Sequence, residues 1–189
     1  MTRPARVARD ENDKVVGDEN VRLFCGLRLP DDAADAIVAW QAGLERGRIV
    51  PRDNLHFTLA FLGWQPRSRL DEVVDALRRR CAETDPPVFH VERYRETRSV
   101  GMLVFTRDGD AERLALGLQQ DLLGRAERDT WLPHVTVLRF RERPRLRPPL
   151  PELEQIVTSE AAAYLSVLRP TGAEYVVLES VPLGGSSGS

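Results

Sequence analysis

The chain has a single lysine, Lys14, among 27 Lys and Arg, and only three His, two Cys and two Met in 189 residues. Each shortage excludes something. Cys25 and Cys81 show no zinc-ligand spacing and no disulfide framework, so they read as buried thiols of a reducing compartment. No His-Glu-x-x-His and no Cys/His cluster occurs, so a resident metal is not expected. The apolar runs are far too short to span a bilayer, and Met1 to Asn20 lacks the apolar centre of a secretion signal. A cytoplasmic protein without membrane contact is expected. Net charge is −2, so no global basic field draws in long nucleic acid. A nucleic-acid end or a small nucleotide needs no such field. The near-exclusive use of Arg is read as coding bias, although Arg suits phosphate contacts.

What the chain does contain is one short pattern, twice: His56-Phe57-Thr58-Leu59 and His134-Val135-Thr136-Val137. Each lies in a β-prone apolar run, Leu55–Leu62 and His134–Phe140. Side chains alternate along a strand, so His56 shares a face with Thr58, and His134 with Thr136. Phe57, Leu59, Val135 and Val137 are then free to enter a core. With Thr this scarce, a chance double match is on the order of 1%. His90 has Glu92 at +2 instead of Thr and reads as a structural or surface residue.

In order, residues 1–20 read as a flexible tail, 21–183 as a single folded domain, and 184–189 as a flexible Gly/Ser tail. Val21–Leu29 is a strand. A helix follows from Asp31 to about Gly47, with Ala33, Ala36, Ile37, Trp40 and Leu44 inward. The first His strand closes at Gly63. Ser68 and Asp71 resemble a capping box for a second helix, whose Arg78, Arg79 and Arg80 suit its C-terminal dipole. Val88–Tyr94 and Val100–Thr106 read as strands, and a third helix carries Leu114, Leu118 and Leu122. Arg139, Arg141, Arg143, Arg145 and Arg147 recur at every second position, either as a phosphate-tracking stripe or as a charged Pro-rich loop. The odd spacing of Arg139 from Thr136 turns it away from the His-Thr face in a straight strand. Glu152–Leu168 is ambiguous between helix and strand, and Tyr175–Leu183 reads as the last strand. The alternation of strands and helices makes this an α+β chain.

Two imidazoles and two hydroxyls facing one cleft are a phosphoester-cleaving set. One imidazole takes a proton from water while the other gives one to a leaving oxygen. The hydroxyls donate to phosphoryl oxygens as charge develops.

Paired His-x-Thr-x strands are the signature of the 2H phosphoesterase superfamily. The chain resembles its RNA 2′,3′-cyclic phosphodiesterases, also called 2′–5′ RNA ligases. The resemblance rests on Arg22-Leu23-Phe24 through Leu29-Pro30, Asn54 to Gly63, Pro133 to Val137 with Arg139, and Pro170 to Tyr175. It departs at Leu138, where the family has a small residue, and at Leu165-Ser166, where it has Arg-Ser. The resemblance implies a bilobal fold, with two pseudo-symmetric antiparallel-sheet lobes and outer helices around a central cleft. It also implies metal-independent hydrolysis of RNA 2′,3′-cyclic phosphate ends to 2′-phosphates. By carry-over His134 is the general base, His56 the general acid, and Thr58 and Thr136 hold the phosphate, with Arg139 as a further substrate contact. No cofactor is implied, and a monomer acting on RNA ends or small cyclic nucleotides is expected. Other activities of the superfamily share this site: 2′–5′ ligation or cleavage, and cyclic ADP-ribose phosphate hydrolysis. A non-catalytic RNA-end-binding module is the remaining alternative.

Overall fold

Ten strands and three helices make up residues 19–184, the part that the computed structural model describes. Most of the two expected tails, residues 1–18 and 185–189, lies outside it. The order is β1 (Asn20–Arg28), α1 (Asp31–Gln41), β2 (Arg48–Ile49), β3 (His56–Pro66), α2 (Leu70–Ala82), β4 (Val88–Phe89), β5 (Val91–Glu96), β6 (Val100–Phe105), α3 (Gly109–Leu123), β7 (His134–Arg139), β8 (Ile156–Val157), β9 (Glu160–Arg169) and β10 (Gly172–Pro182). The expected α+β class holds.

The main sheet is antiparallel, in the order β10-β9-β1-β3-β7-β6-β5, with β2 beside β7. Its two halves meet where β3 pairs with β7, and that ladder is one residue pair long, Phe57 opposite Val135. This pinched join is the physical form of the expected two lobes.

The core lies behind the join. Phe57 is fully buried and stacks on Phe89 at 4.4 Å, with Phe105 edge-on at 5.0 Å. Leu23, Leu27, Leu59, Val135 and Val137 surround it from the same side of the sheet. The helices cover this side: α2 with Val73, Ala76, Leu77 and Cys81, and α3 with Ala111, Leu114, Ala115, Leu118 and Leu122. Asp108 caps α3 by accepting from the N–H groups of Asp110 (2.9 Å) and Ala111 (3.1 Å), and left-handed Gly124 ends it. Burial pushes the thiols of Cys25 and Cys81 up to about 12, as befits core residues. No helix among the described residues is long and apolar enough to cross a membrane.

Several elements differ from expectation, each for a local reason. Helix α1 stops at Gln41, because Gly43 to Gly47 offers one apolar residue and must turn the chain into β2, with Gly47 at φ +94°. Its inward face is Ala33, Ala34, Ile37 and Gln41, while Trp40 is only partly buried and its Nε1–H donates to Pro149 O at 2.7 Å. The capping box does not form: Ser68 sits inside a 3₁₀ turn, and Arg69 pairs with Glu72 instead. Strand β3 runs on past Gly63, which takes φ +68°, to Pro66. The expected Val88–Tyr94 strand is two pieces in different sheets, parted at exposed His90. The ambiguous Glu152–Leu168 region is strand: Ala161, Ala162 and Ala163 are essentially fully buried in β9, so tertiary packing overrides their helix preference. Arg78 and Arg80 bind specific carboxylates, Glu179 at 2.6 Å and Asp121 at 2.7 Å, rather than the helix dipole alone.

Candidate active site

The single Phe57–Val135 pair decides the site. Both side chains point into the core, so their flanking residues must point to the other face. Those residues are His56 and Thr58 on β3, and His134 and Thr136 on β7. Because the strands are antiparallel, His56 comes beside Thr136 and Thr58 beside His134. All four are partly buried.

The two imidazoles are held alike. His56 Nδ1–H donates to Asn54 O at 2.8 Å, and His134 Nδ1–H donates to Leu132 O at 2.9 Å. Each acceptor is the carbonyl two residues upstream. A carbonyl can only accept, so the proton is on Nδ1 and Nε2 is left for the cleft. Thr58 Oγ1–H donates to His56 Nε2 at 2.9 Å.

Past each motif the strand is bulged in the same place. Leu59 and Ala60 are both buried, and so are Val137 and Leu138, which a regular alternation does not allow. Register shifts mark both strands, in the β1–β3 ladder and in the β6–β7 ladder. Each bulge returns the residue at His+5 to the cleft face. That residue is Phe61 in one copy and Arg139 in the other. Arg139 therefore lines the cleft with His56, Thr58 and Thr136, contrary to the straight-strand expectation.

A buried glutamine serves each bulge. Gln119 on α3 donates to Leu59 O at 2.9 Å, and Gln41 on α1 donates to Val137 O at 2.7 Å. Both carbonyls stand at His+3. Neither glutamine was singled out from the sequence; the only available signal was a Gln on the apolar face of each helix.

The cleft has two adjoining hollows, of about 420 and 510 Å³, which share Thr58 and Phe61. The first contains His56, Thr136 and four arginines: Arg22, Arg48, Arg139 and Arg169. The second contains His134, Arg95 and Arg128. A chain of net charge −2 has concentrated cations here. The remaining arginines of the expected stripe do not continue the strand. Arg143, Arg145 and Arg147 sit on a loop that buried Glu96 holds through the backbone N–H groups of Arg145 and Leu146.

His56 is packed among aromatic rings, with Phe24 at 4.8 Å, Tyr175 at 5.5 Å and Tyr164 at 5.7 Å. Gly26 on the neighbouring β1 makes room: a Cβ there would lie 2.8 Å from Phe57 O and 3.0 Å from the His56 ring. Burial, aided by the charges of His134 and Arg139, pushes the His56 pKa down to about 4 against the hydrogen bond from its Nδ1–H, which raises it. In the free protein His56 is neutral at pH 7. The unfolded chain takes this proton near pH 6.5. The His56 contribution to stability is therefore fully present above pH 6.5, falls as the pH drops to about 4, and is flat below. Its span is about 2–3 kcal/mol, allowing for partial exposure. Urea midpoints measured across this window should show that slope, and His56→Gln should remove it. Equal slopes in the two proteins would show that His56 is not held neutral.

The profile of LigT like Phosphoesterase matches residues 27–99. The RNA 2′,3′-cyclic phosphodiesterase of Thermus thermophilus is 34% identical over 193 residues, covering 89% of this chain and 93% of the relative. That of Escherichia coli is 48% identical over 48 residues, covering 24% of this chain and 27% of the relative. Among solved structures, E. coli LigT complexed with 3′-AMP aligns with a TM-score of 0.74 at 25% identity, covering 88% of this chain and 99% of that one. The T. thermophilus protein TT0787 aligns with a TM-score of 0.73 at 28% identity, covering 87% and 99%. With the relative matched nearly end to end at this identity, the chain belongs to the LigT-like phosphoesterase family, alongside the RNA 2′,3′-cyclic phosphodiesterases.

Proposed function

We propose that this chain hydrolyses RNA 2′,3′-cyclic phosphate ends to 2′-phosphates, using His56, Thr58, His134 and Thr136. The observation that carries this reading is the join of the sheet, which sets both His-Thr pairs on one face of a cleft rich in arginine. The phosphodiesterase names of its relatives and the 3′-AMP bound by E. coli LigT support it.

The cyclic phosphate sits between the imidazoles. His134 Nε2 takes a proton from the attacking water as the new P–O bond forms. His56 gives a proton to the O3′ as the P–O3′ bond breaks, leaving the phosphate on O2′. Thr58 and Thr136 donate to the non-bridging oxygens, and Arg139 faces the same charge. His56 must be protonated to act as the acid, and its free-state pKa of about 4 opposes this. The phosphate anion supplies the missing counter-charge: it offsets His134 and Arg139 and draws the proton onto Nε2. Thr58, which donates to Nε2 in the empty cleft, is then released to the phosphate.

The protein acts as a monomer on RNA ends or small cyclic nucleotides in the cytoplasm. An arginine-lined cleft repels a divalent cation, so the chemistry rests on the side chains alone. An oligonucleotide ending in a 2′,3′-cyclic phosphate, incubated with the protein and a chelator, should yield a 2′-phosphate end. Absence of product, or product lost on adding the chelator, would contradict the assignment.

A further inference from the structure

The His56-side hollow extends beyond the four reacting side chains to a place where two polar groups lack partners. Ser166 on β9 is 5% exposed and lines the hollow, yet its Oγ has no hydrogen-bond partner among the described residues. Buried hydroxyls are nearly always satisfied, so an orphan in the wall of a cavity marks a position that a ligand atom can satisfy. Arg22 on β1 lines the same hollow. Its guanidinium rests over the Phe61 ring at 4.9 Å and has no carboxylate partner among the described residues. The other arginines there are engaged: Arg48 with Thr171 O, Arg169 with Glu174, and Arg139 with the Tyr175 hydroxyl.

The two groups are neighbours. Leu23 pairs with Leu165, so Arg22 and Ser166 stand at the next positions on adjacent strands, about 4.8 Å apart at the backbone. Phe61 lies three residues past Thr58, under about 10 Å along the bulged strand, so this pair sits roughly one nucleotide from the reacting phosphate. A guanidinium fork beside a hydroxyl offers several donors and a positive charge. That set matches a phosphate, which brings several acceptor oxygens and the opposite charge.

We infer that Arg22 and Ser166 form a second phosphate subsite, which takes the phosphoryl group on the 5′ side of the nucleoside whose cyclic phosphate lies between His56 and His134. This rests on the reading in the preceding subsection. It makes the substrate a nucleotide with two phosphoryl groups, either a 5′-phosphorylated cyclic nucleotide or the last nucleotide of a chain.

Adenosine 2′,3′-cyclic phosphate, the same compound with a 5′-phosphate, and a dinucleotide ending in a cyclic phosphate separate the possibilities. The 5′-phosphorylated compound should show a KM about tenfold below that of the unphosphorylated one, with similar kcat. A dinucleotide sharing that advantage makes the phosphodiester of an RNA chain the occupant; a dinucleotide without it makes the occupant a terminal 5′-phosphate. In Arg22→Gln and in Ser166→Ala the KM ratio should fall towards one. A merely structural role would weaken both substrates alike and leave the ratio intact. A wild-type ratio near one, or a ratio that survives both substitutions, overturns the subsite. Calorimetric binding of adenosine 3′,5′-bisphosphate against adenosine 3′-monophosphate needs no turnover. A tighter bisphosphate whose advantage is lost in Ser166→Ala upholds the subsite even if cyclic substrates are not hydrolysed.

Discussion

Alanine at His56 or at His134 lowers kcat on a cyclic-phosphate oligonucleotide by about 10²- to 10⁴-fold, or about 3–5 kcal/mol of barrier. Single-turnover rates with the substrate saturating give this number directly. The two losses should not multiply in the double variant, because both groups serve one concerted proton exchange, and without one partner the other has little left to do. The folds of the variants should survive. His56→Ala removes an imidazole that packs on Phe24, Tyr164 and Tyr175 and is hydrogen-bonded to Asn54 O, so it should lose about 1–3 kcal/mol of stability at pH 7 and remain folded. Activity within tenfold of wild type in either single variant would move the chemistry elsewhere in the cleft.

The strand parity of His56 and Thr58, and of His134 and Thr136, is a local property. It depends only on alternation, so it is readable from the chain alone. Their meeting is not local: it hangs on one cross-strand pair, Phe57 with Val135, which no periodicity announces. The resemblance to a known family supplied what periodicity lacked. The bulges were also hidden. Leu59-Ala60 and Val137-Leu138 look like ordinary strand residues, and only the glutamines behind them show why a displaced carbonyl is tolerated there. Parity counted along a straight strand aims Arg139 away from the cleft, since the count changes sign after the bulge; only the resemblance points to it as a substrate contact. Helix α1 was overextended for a related reason: Leu44 fits the helical period, but the chain needs residues 42–47 to reach the edge of β7. Ala161 to Ala163 look helical in isolation, yet Ala161 and Ala163 face the core where β9 meets α2, and Ala162 packs on the opposite face with Phe24 and Tyr164.

Phe57→Ala should cost about 3–5 kcal/mol of stability, the usual range for a phenylalanine deleted from a closed core. For a chain of this size that lowers Tm by roughly 6–20 °C. Phe57 has no exposed surface and touches aromatic rings from two other elements, Phe89 of β4 and Phe105 of β6. Neither ring can follow the void without leaving its own strand position. The effect reaches beyond the core, because Phe57 is also one half of the only registered pair between β3 and β7. The His-Thr pairs of the two halves share no other ladder, so a cavity at this point loosens the distance between the imidazoles directly. The folded fraction of Phe57→Ala should therefore show a depressed kcat at temperatures well below its own Tm, while Phe57→Leu, which keeps most of the volume, should retain most of both properties. Leu77→Ala supplies the comparison: it is equally buried but lies on α2, behind the sheet, and should lose stability without losing kcat. Equal kcat losses in Phe57→Ala and Leu77→Ala would mean that the cleft geometry is set by the core as a whole rather than by the pinched join.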